Sequence, residues 1–155
     1  MQKITPFLWF DGKAEEAIKL YTSVFKNSKI ININYWGKGS PFPENQVMTG
    51  VFELDGQKFY AFDAGPQFKF TEAISFYVDC ETQEDIDHFW NRLTADGGQE
   101  SMCGWLKDKF GVSWQIIPSI MGSIMTDPAK AGKAAQAFMS MRKLNIEQIV
   151  QASLA

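Results

Sequence analysis

The sequence predicts an α+β fold: two βαβββ modules followed by C-terminal helices. Three observations carry this. Short segments alternate apolar and polar residues around strong turn signals. Each half begins strand, amphipathic helix, strands. The halves also superpose, with Asp11 on Asp79, Glu16 on Glu84, Ile18 on Ile86 and Tyr21 on Phe89 in one register, and Gly56 on Gly111 and Phe59 on Trp114 in a shorter one. A repeated order of this kind points to duplicated supersecondary units.

Ile4 to Phe10 reads as the first strand. A helix over about Lys13 to Phe25 follows, because Ala14, Ala17, Ile18, Tyr21 and Phe25 recur at three- and four-residue steps. Asp11 or Gly12 is the expected cap, and Glu15 and Glu16 suit the positive end of the helix dipole. Ile30 to Trp36 alternates in the manner of a half-buried strand. Gly37 to Gln46 is a loop. Val47 to Leu54 and Gln57 to Asp63 make a hairpin about Asp55-Gly56, a strong two-residue turn signal.

The order then repeats. Ala73 to Val78 is a strand, and Thr82 opens a helix with Asp85 three residues on, close to a capping box. Ile86, Phe89, Trp90 and Leu93 form its buried face, and Asp96-Gly97-Gly98 ends it. Cys103 to Pro118 gives two short strands joined by a tight turn at Asp108 to Gly111. After Pro118 the chain turns helical. Asp127-Pro128 supplies a capping Asp and a proline at the first helical position. Ala131, Ala134, Ala135, Phe138 and Met141 or Met139 make an apolar face. Asn145 caps a last helix that docks through Ile146, Ile149, Val150 and Leu154. The run Phe138-Met139-Ser140-Met141 packs on the sheet or, alternatively, offers an adaptable partner surface.

The 155 residues, 45% of them hydrophobic, suffice for one compact domain over residues 1–155. Within it, module one covers about 3–66, module two about 70–118 and the helical segment about 124–155. A net charge of −3 and a pI near 5.2 leave no electrostatic footprint for nucleic acid. Two cysteines, Cys80 and Cys103, are too few for a disulfide framework and point to the reducing cytoplasm. The apolar segment after Met1 is too brief for a signal-peptide core, and no stretch is long enough to span a membrane. With 13 Phe, 5 Trp and 4 Tyr, the aromatics serve core packing, the walls of a ligand cavity, or both.

Within the closing hairpin, Gln115 is an amide between Trp114 and Ile116. It is either a hydrogen-bonded core residue or a pocket residue. Nucleophilic catalysis would fall to Cys103, with Lys107 lowering its pKa if the side chains converge, although no His base is evident and a structural role is favoured. Asp63 and Glu72 are a possible acid–base pair.

Further motifs narrow the reading. They are Ile4-Thr5-Pro6-Phe7-Leu8-Trp9-Phe10-Asp11-Gly12 with Ala14-Glu15-Glu16-Ala17, Phe52-Glu53-Leu54-Asp55-Gly56, Ala64-Gly65-Pro66, Glu72-Ala73-Ile74-Ser75-Phe76, the Cys103 to Pro118 segment, and Met139-Ser140-Met141-Arg142-Lys143. With these, the chain resembles the vicinal oxygen chelate superfamily of glyoxalase, bleomycin-resistance and extradiol-dioxygenase proteins. Within it the chain resembles more closely the PhnB-like branch, described as 3-demethylubiquinone-9 3-methyltransferase-like. The resemblance implies an incomplete barrel around a cavity, usually in a homodimer. It also implies metal ligands from the first and last strand of each module. The slots fall on Ile4 or Thr5, near Tyr60 or Phe62 with Asp63 on the opposite face, on Glu72 or Ala73, and on Gln115. Gln115 stands where metal-binding members usually carry glutamate.

Only Glu72 and Gln115 remain as metal candidates, and one carboxylate with one amide is a poor cage for a divalent ion. The single His, His88, lies in a helix with a surface or capping role, so a two-His-one-carboxylate iron site cannot be assembled from one chain. A Gly-rich turn leading into a helix, as nucleotide-type sites require, is missing, which argues against methyl transfer.

The expectation is therefore a cytoplasmic homodimer that binds a small organic ligand, with Trp9, Tyr60, Trp105 and Gln115 as cavity walls and no cofactor. The alternatives are a lyase or isomerase with a divalent metal on Glu72 and Gln115, and a resistance-type protein that sequesters its ligand unchanged.

Overall fold

The computed structural model describes residues 1–155, which divide into two compact units, Met1–Lys69 and Phe70–Ala155. The first contains β1 (Phe7–Phe10), α1 (Ala14–Val24), β2 (Lys29–Tyr35), β3 (Val47–Leu54) and β4 (Gln57–Asp63). Its sheet runs β1-β4-β3-β2, with β1 parallel to β4 and the other pairs antiparallel. The hairpin turn places Asp55 at φ 49° and Gly56 at φ 79°. Both are left-handed, the twist that a two-residue hairpin requires.

Helix α1 lies on one face of this sheet through Ala14, Ala17, Ile18, Tyr21 and Val24. Val24 takes the buried position expected for Phe25, which is half-buried. The close approach depends on Gly50, where a Cβ would meet Ile18 Cδ1 at 2.5 Å. Three expectations need correction here. The first strand begins at Phe7 rather than Ile4, and Pro6, just before it, has no N–H to donate to a ladder. Neither Asp11 nor Gly12 caps α1: Lys13 occupies the cap position without a side-chain bond, and the first N–H, of Ala14, is bound by Asp63 Oδ1 at 3.0 Å. Strand β2 is not half-buried. Ile30, Ile31 and Tyr35 are exposed, because β2 is an edge strand whose register shifts between Ile30 and Asn32 and again between Asn34 and Tyr35. Such bulges break the alternation that would have hidden one face.

The second unit repeats the plan with β5 (Ser75–Cys80), α2 (Gln83–Thr94), β6 (Gln99–Glu100), β7 (Trp105–Lys107) and β8 (Ser113–Pro118). The sheet order is β5-β8-β7-β6, again with the first pair parallel. Each unit is thus a βαβββ module with its own open four-stranded sheet. Thr82 caps α2 by accepting from the Asp85 N–H at 3.1 Å. Ile86, Trp90 and Leu93 form the buried face, and Phe89 is only half-buried. Strand β5 starts at Ser75, two positions after the expected Ala73.

Three helices complete this unit: α3 (Met121–Met125), α4 (Pro128–Phe138) and α5 (Ile146–Leu154). Asp127 and Asn145 cap α4 and α5 through the N–H groups of Ala129 and Gln148, each at 2.9 Å. Ile117, Met121, Ile124, Ala134, Leu144 and Ile149 form one buried cluster with Phe138, Met141 and Val150 at its margin. Met141 therefore packs, whereas Met139 is exposed. Leu154 is exposed too, contrary to its expected docking, and the buried residues of α5 are Ile149 and Ser153. Polar ties hold the tail. Gln83 Nε2 donates to Leu144 O at 3.0 Å and its Oε1 accepts from the Ile146 N–H at 2.9 Å. The N–H groups of Cys103 and Gly104 donate to Met141 O and Arg142 O. No helix is long and apolar enough to cross a membrane.

Candidate functional site

In the first unit, β1 and β4 pair in parallel, with Phe7 beside Tyr60 and Trp9 beside Phe62. Strand alternation sends Leu8, Phe10, Phe59, Ala61 and Asp63 to the buried side under α1 and leaves Phe7, Trp9, Tyr60 and Phe62 on the other. These rings interlock at centroid distances of 4.9 to 5.8 Å, mostly edge to face, and Phe68 joins through Trp9. The Trp9 indole N–H is fixed on Gly65 O at 2.9 Å. Trp9 and Tyr60 thus share one aromatic face.

Trp105 and Gln115 share the corresponding face of the second unit, where they are cross-strand partners. This face is polar. Ladder registers set one row as Ser75, Ser113, Lys107 and Gln99, and the next as Tyr77, Gln115 and Trp105. Gln115 Nε2 donates to Ser75 Oγ at 2.9 Å, so it is a hydrogen-bonded residue on a half-open face rather than a core amide. Burial, with Asp79 nearby, raises the Tyr77 phenol above its ordinary pKa. Ile117, the next residue outward on the Gln115 side of β8, enters the tail cluster, so the C-terminal helices close that end of the face.

The other end opens into a cleft of about 260 Å³ lined by Glu72, Gln99, Glu100, Ser101, Trp105, Leu106, Lys107 and Ser113. Glu72 forms an ion pair with Lys107. Glu100 accepts the Trp90 indole N–H at 2.7 Å. Ser113 is 1% exposed, and its hydroxyl has no hydrogen-bond partner.

A divalent metal does not fit these residues. Nowhere do three or more His, Cys, Asp or Glu side chains group so as to hold an ion. The positions expected to supply first-strand ligands, Ile4 or Thr5 and Glu72 or Ala73, precede β1 and β5. The β5 residues beside Gln115 are Tyr77, its ladder partner, and Ser75, its hydrogen-bond partner, neither a carboxylate. Glu72 is engaged by an ammonium group, whose positive charge opposes a second cation.

The other candidates fall to structural roles. Asp63 is 2% exposed and spends both carboxylate oxygens on backbone N–H groups, of Ala14 at 3.0 Å and Val47 at 2.9 Å. Both oxygens are thereby committed to the backbone, a structural role. Lys107 turns to Glu72, and the Cys103 thiol lies 3.9 Å from Met139 O, so the convergence on which a nucleophilic Cys103 would depend is not seen. Burial pushes the Cys80 thiol up to about 12. His88 is on the exposed side of α2. Sequence reasoning missed Ser75 and Ser113. Their signal was alternation, since Ser113, Gln115 and Ile117 must share one side of β8.

The chain belongs to the family described as 3-demethylubiquinone-9 3-methyltransferase, whose model matches residues 2–117, and within it to the PhnB-like proteins. A PhnB protein from Bacillus cereus is 43% identical over 76% of this chain and 99% of its own, with a TM-score of 0.71. Protein PA1353 from Pseudomonas aeruginosa, 21% identical over 76% of this chain and 98% of its own with a TM-score of 0.64, shares the fold. The fosfomycin resistance protein FosX from Mesorhizobium loti is 10% identical over 74% of this chain and 90% of its own, with a TM-score of 0.48. No curated protein matches the chain.

Proposed function

We propose that the protein binds a small organic molecule against the second-unit face bearing Trp105 and Gln115, without a tightly held divalent metal, and works as a cytoplasmic homodimer. The observation that carries this reading is the Gln115 amide. It is anchored on Ser75 through its nitrogen and set beside the Trp105 ring, which together offer polar recognition next to an apolar wall. The aromatic face of Trp9 and Tyr60 supplies a second apolar surface of the same kind. The exposed edge strand β2, with Ile30 and Ile31, is a surface that self-association would cover. Methyl transfer forms no part of this reading. Each sheet has four strands with a single parallel pair, and neither β1 nor β5 leads through a Gly-rich turn into its helix.

Native mass spectrometry of protein taken from its own cells tests the proposal. A dimer carrying an organic mass and no metal mass is expected. Stoichiometric Zn, Mn, Fe, Ni or Co, retained after equilibration and lost in both Glu72→Ala and Gln115→Ala, would overturn the metal-free reading in favour of a metal-dependent lyase or isomerase.

A further inference from the structure

We propose that Lys107 and Ser113 form a carboxylate-recognition pair, so that the ligand of the second-unit cleft is a small organic monoanion with a flat apolar body. This rests on the binding function proposed above and specifies its ligand class. Lys107 and Ser113 face each other across the β7–β8 ladder, and both line the cleft beside Trp105. An ammonium group has three donors, and Glu72 engages Lys107 from the segment before β5. The Ser113 hydroxyl is buried with no partner at all, a costly state that native structures rarely leave without a reason.

Ser113 Oγ is closed to solvent as the side chains stand. Once displacement of Glu72 and a shift of the Lys107 side chain uncover it, a ligand carboxylate would accept from Lys107 Nζ with one oxygen and from Ser113 Oγ with the other. The exchange is cheap because the Glu72 side chain is 59% exposed, and exposed ion pairs contribute little. Lys107 offers positive charge to a single carboxylate, and Glu72 and Glu100 in the same cleft oppose any further negative charge, so a second anionic group on the ligand would go unpaired. Trp105 gives the apolar body a ring to stack on.

Benzoate and its neutral counterpart benzamide, titrated into the full chain and followed by amide NMR, test this. Benzoate should shift the amides of Trp105 to Lys107 and Ser113 to Gln115, and bind about tenfold or more tightly than benzamide. Lys107→Met should weaken benzoate by a similar factor. Ser113→Ala should weaken it without lowering the urea midpoint, which separates ligand contact from packing. Glu72→Gln should tighten it, because the internal competitor is gone. Equal binding of benzoate and benzamide on these amides, or unchanged benzoate affinity in Lys107→Met, would overturn the carboxylate assignment and leave the ligand face standing. If neither probe moves these amides while a retained cellular ligand maps elsewhere, both the assignment and the ligand face fall.

Discussion

Asp63, the last residue of β4, holds the backbone N–H of Ala14, the first residue of α1, on its Oδ1 at 3.0 Å. A strand residue thus performs the work of a helix cap, and its second oxygen anchors the start of β3 through Val47 at 2.9 Å. The carboxylate fixes helix, strand and hairpin of the first unit in one place.

Asp63→Ala should therefore cost about 3 kcal/mol, since two buried N–H groups lose a charged acceptor. Asp63→Asn should recover only part of this, because the amide presents one acceptor and one donor to two donors. Urea unfolding followed by far-UV circular dichroism measures both, and a loss in Asp63→Ala below about 1 kcal/mol would contradict this account.

Asp108 plays a comparable part in the turn between β7 and β8. Its carboxylate accepts from the N–H groups of Phe110 and Val112 and from the Trp114 indole at 2.9 Å, 3.1 Å and 2.9 Å. Asp108→Ala should destabilise the protein by about 3 to 5 kcal/mol.

Gln83 joins α2 to the tail through both ends of its amide. Gln83→Ala should cost about 1 to 2 kcal/mol, and the loss should be local. Hydrogen exchange at the Ile146 amide should accelerate, and limited proteolysis should cut before α5 while leaving the first unit intact. The neighbouring Lys143–Asp87 pair at 3.0 Å holds the Asp87 carboxyl below its ordinary pKa of 3.8, with help from Gln83. Its contribution is present above that value and is lost as pH falls through the lowered one.

Cys80 is 1% exposed, and its pKa is raised from 9.0 to about 12 by burial first and by Asp85 and Asp79 after it. In native protein at pH 8, Ellman's reagent should leave Cys80 unmodified until denaturant is added. The unfolded thiol ionises near 9 while the folded one keeps its proton. Stability is accordingly unaffected below about 9 and declines as pH climbs from there towards 12. Cys80→Ser should flatten this alkaline decline in urea titrations.

The module order was readable in the sequence because it rests on local signals. Asp55-Gly56 fixed one hairpin, and Thr82, Asp127 and Asn145 fixed three helix starts. What escaped was set by partners distant in sequence. The cap of α1 comes from Asp63, and the bulges in β2 follow from its pairing with β3. Among the candidate walls, the pairing of Trp9 with Phe62 and of Trp105 with Gln115 needed the strand register, which alternation alone does not give. Glu72 stood as an alternative metal ligand only because a slot implied by the resemblance falls on it or on Ala73. Its engagement by Lys107 depends on a segment outside any strand.

The tail ties bear on how the protein is made. Partners for the Cys103 and Gly104 amides are the carbonyls of Met141 and Arg142, and those for Gln83 lie at Leu144 and Ile146. During synthesis the first unit can close its ladder and helix from residues 1–69, which contain every strand it needs. The second must wait on the ribosome, with donors bare just before β7 and apolar Ile117 uncovered, until residues 141–149 have been translated. A stalled or truncated message would then release a finished front half attached to an adhesive, unfinished back half.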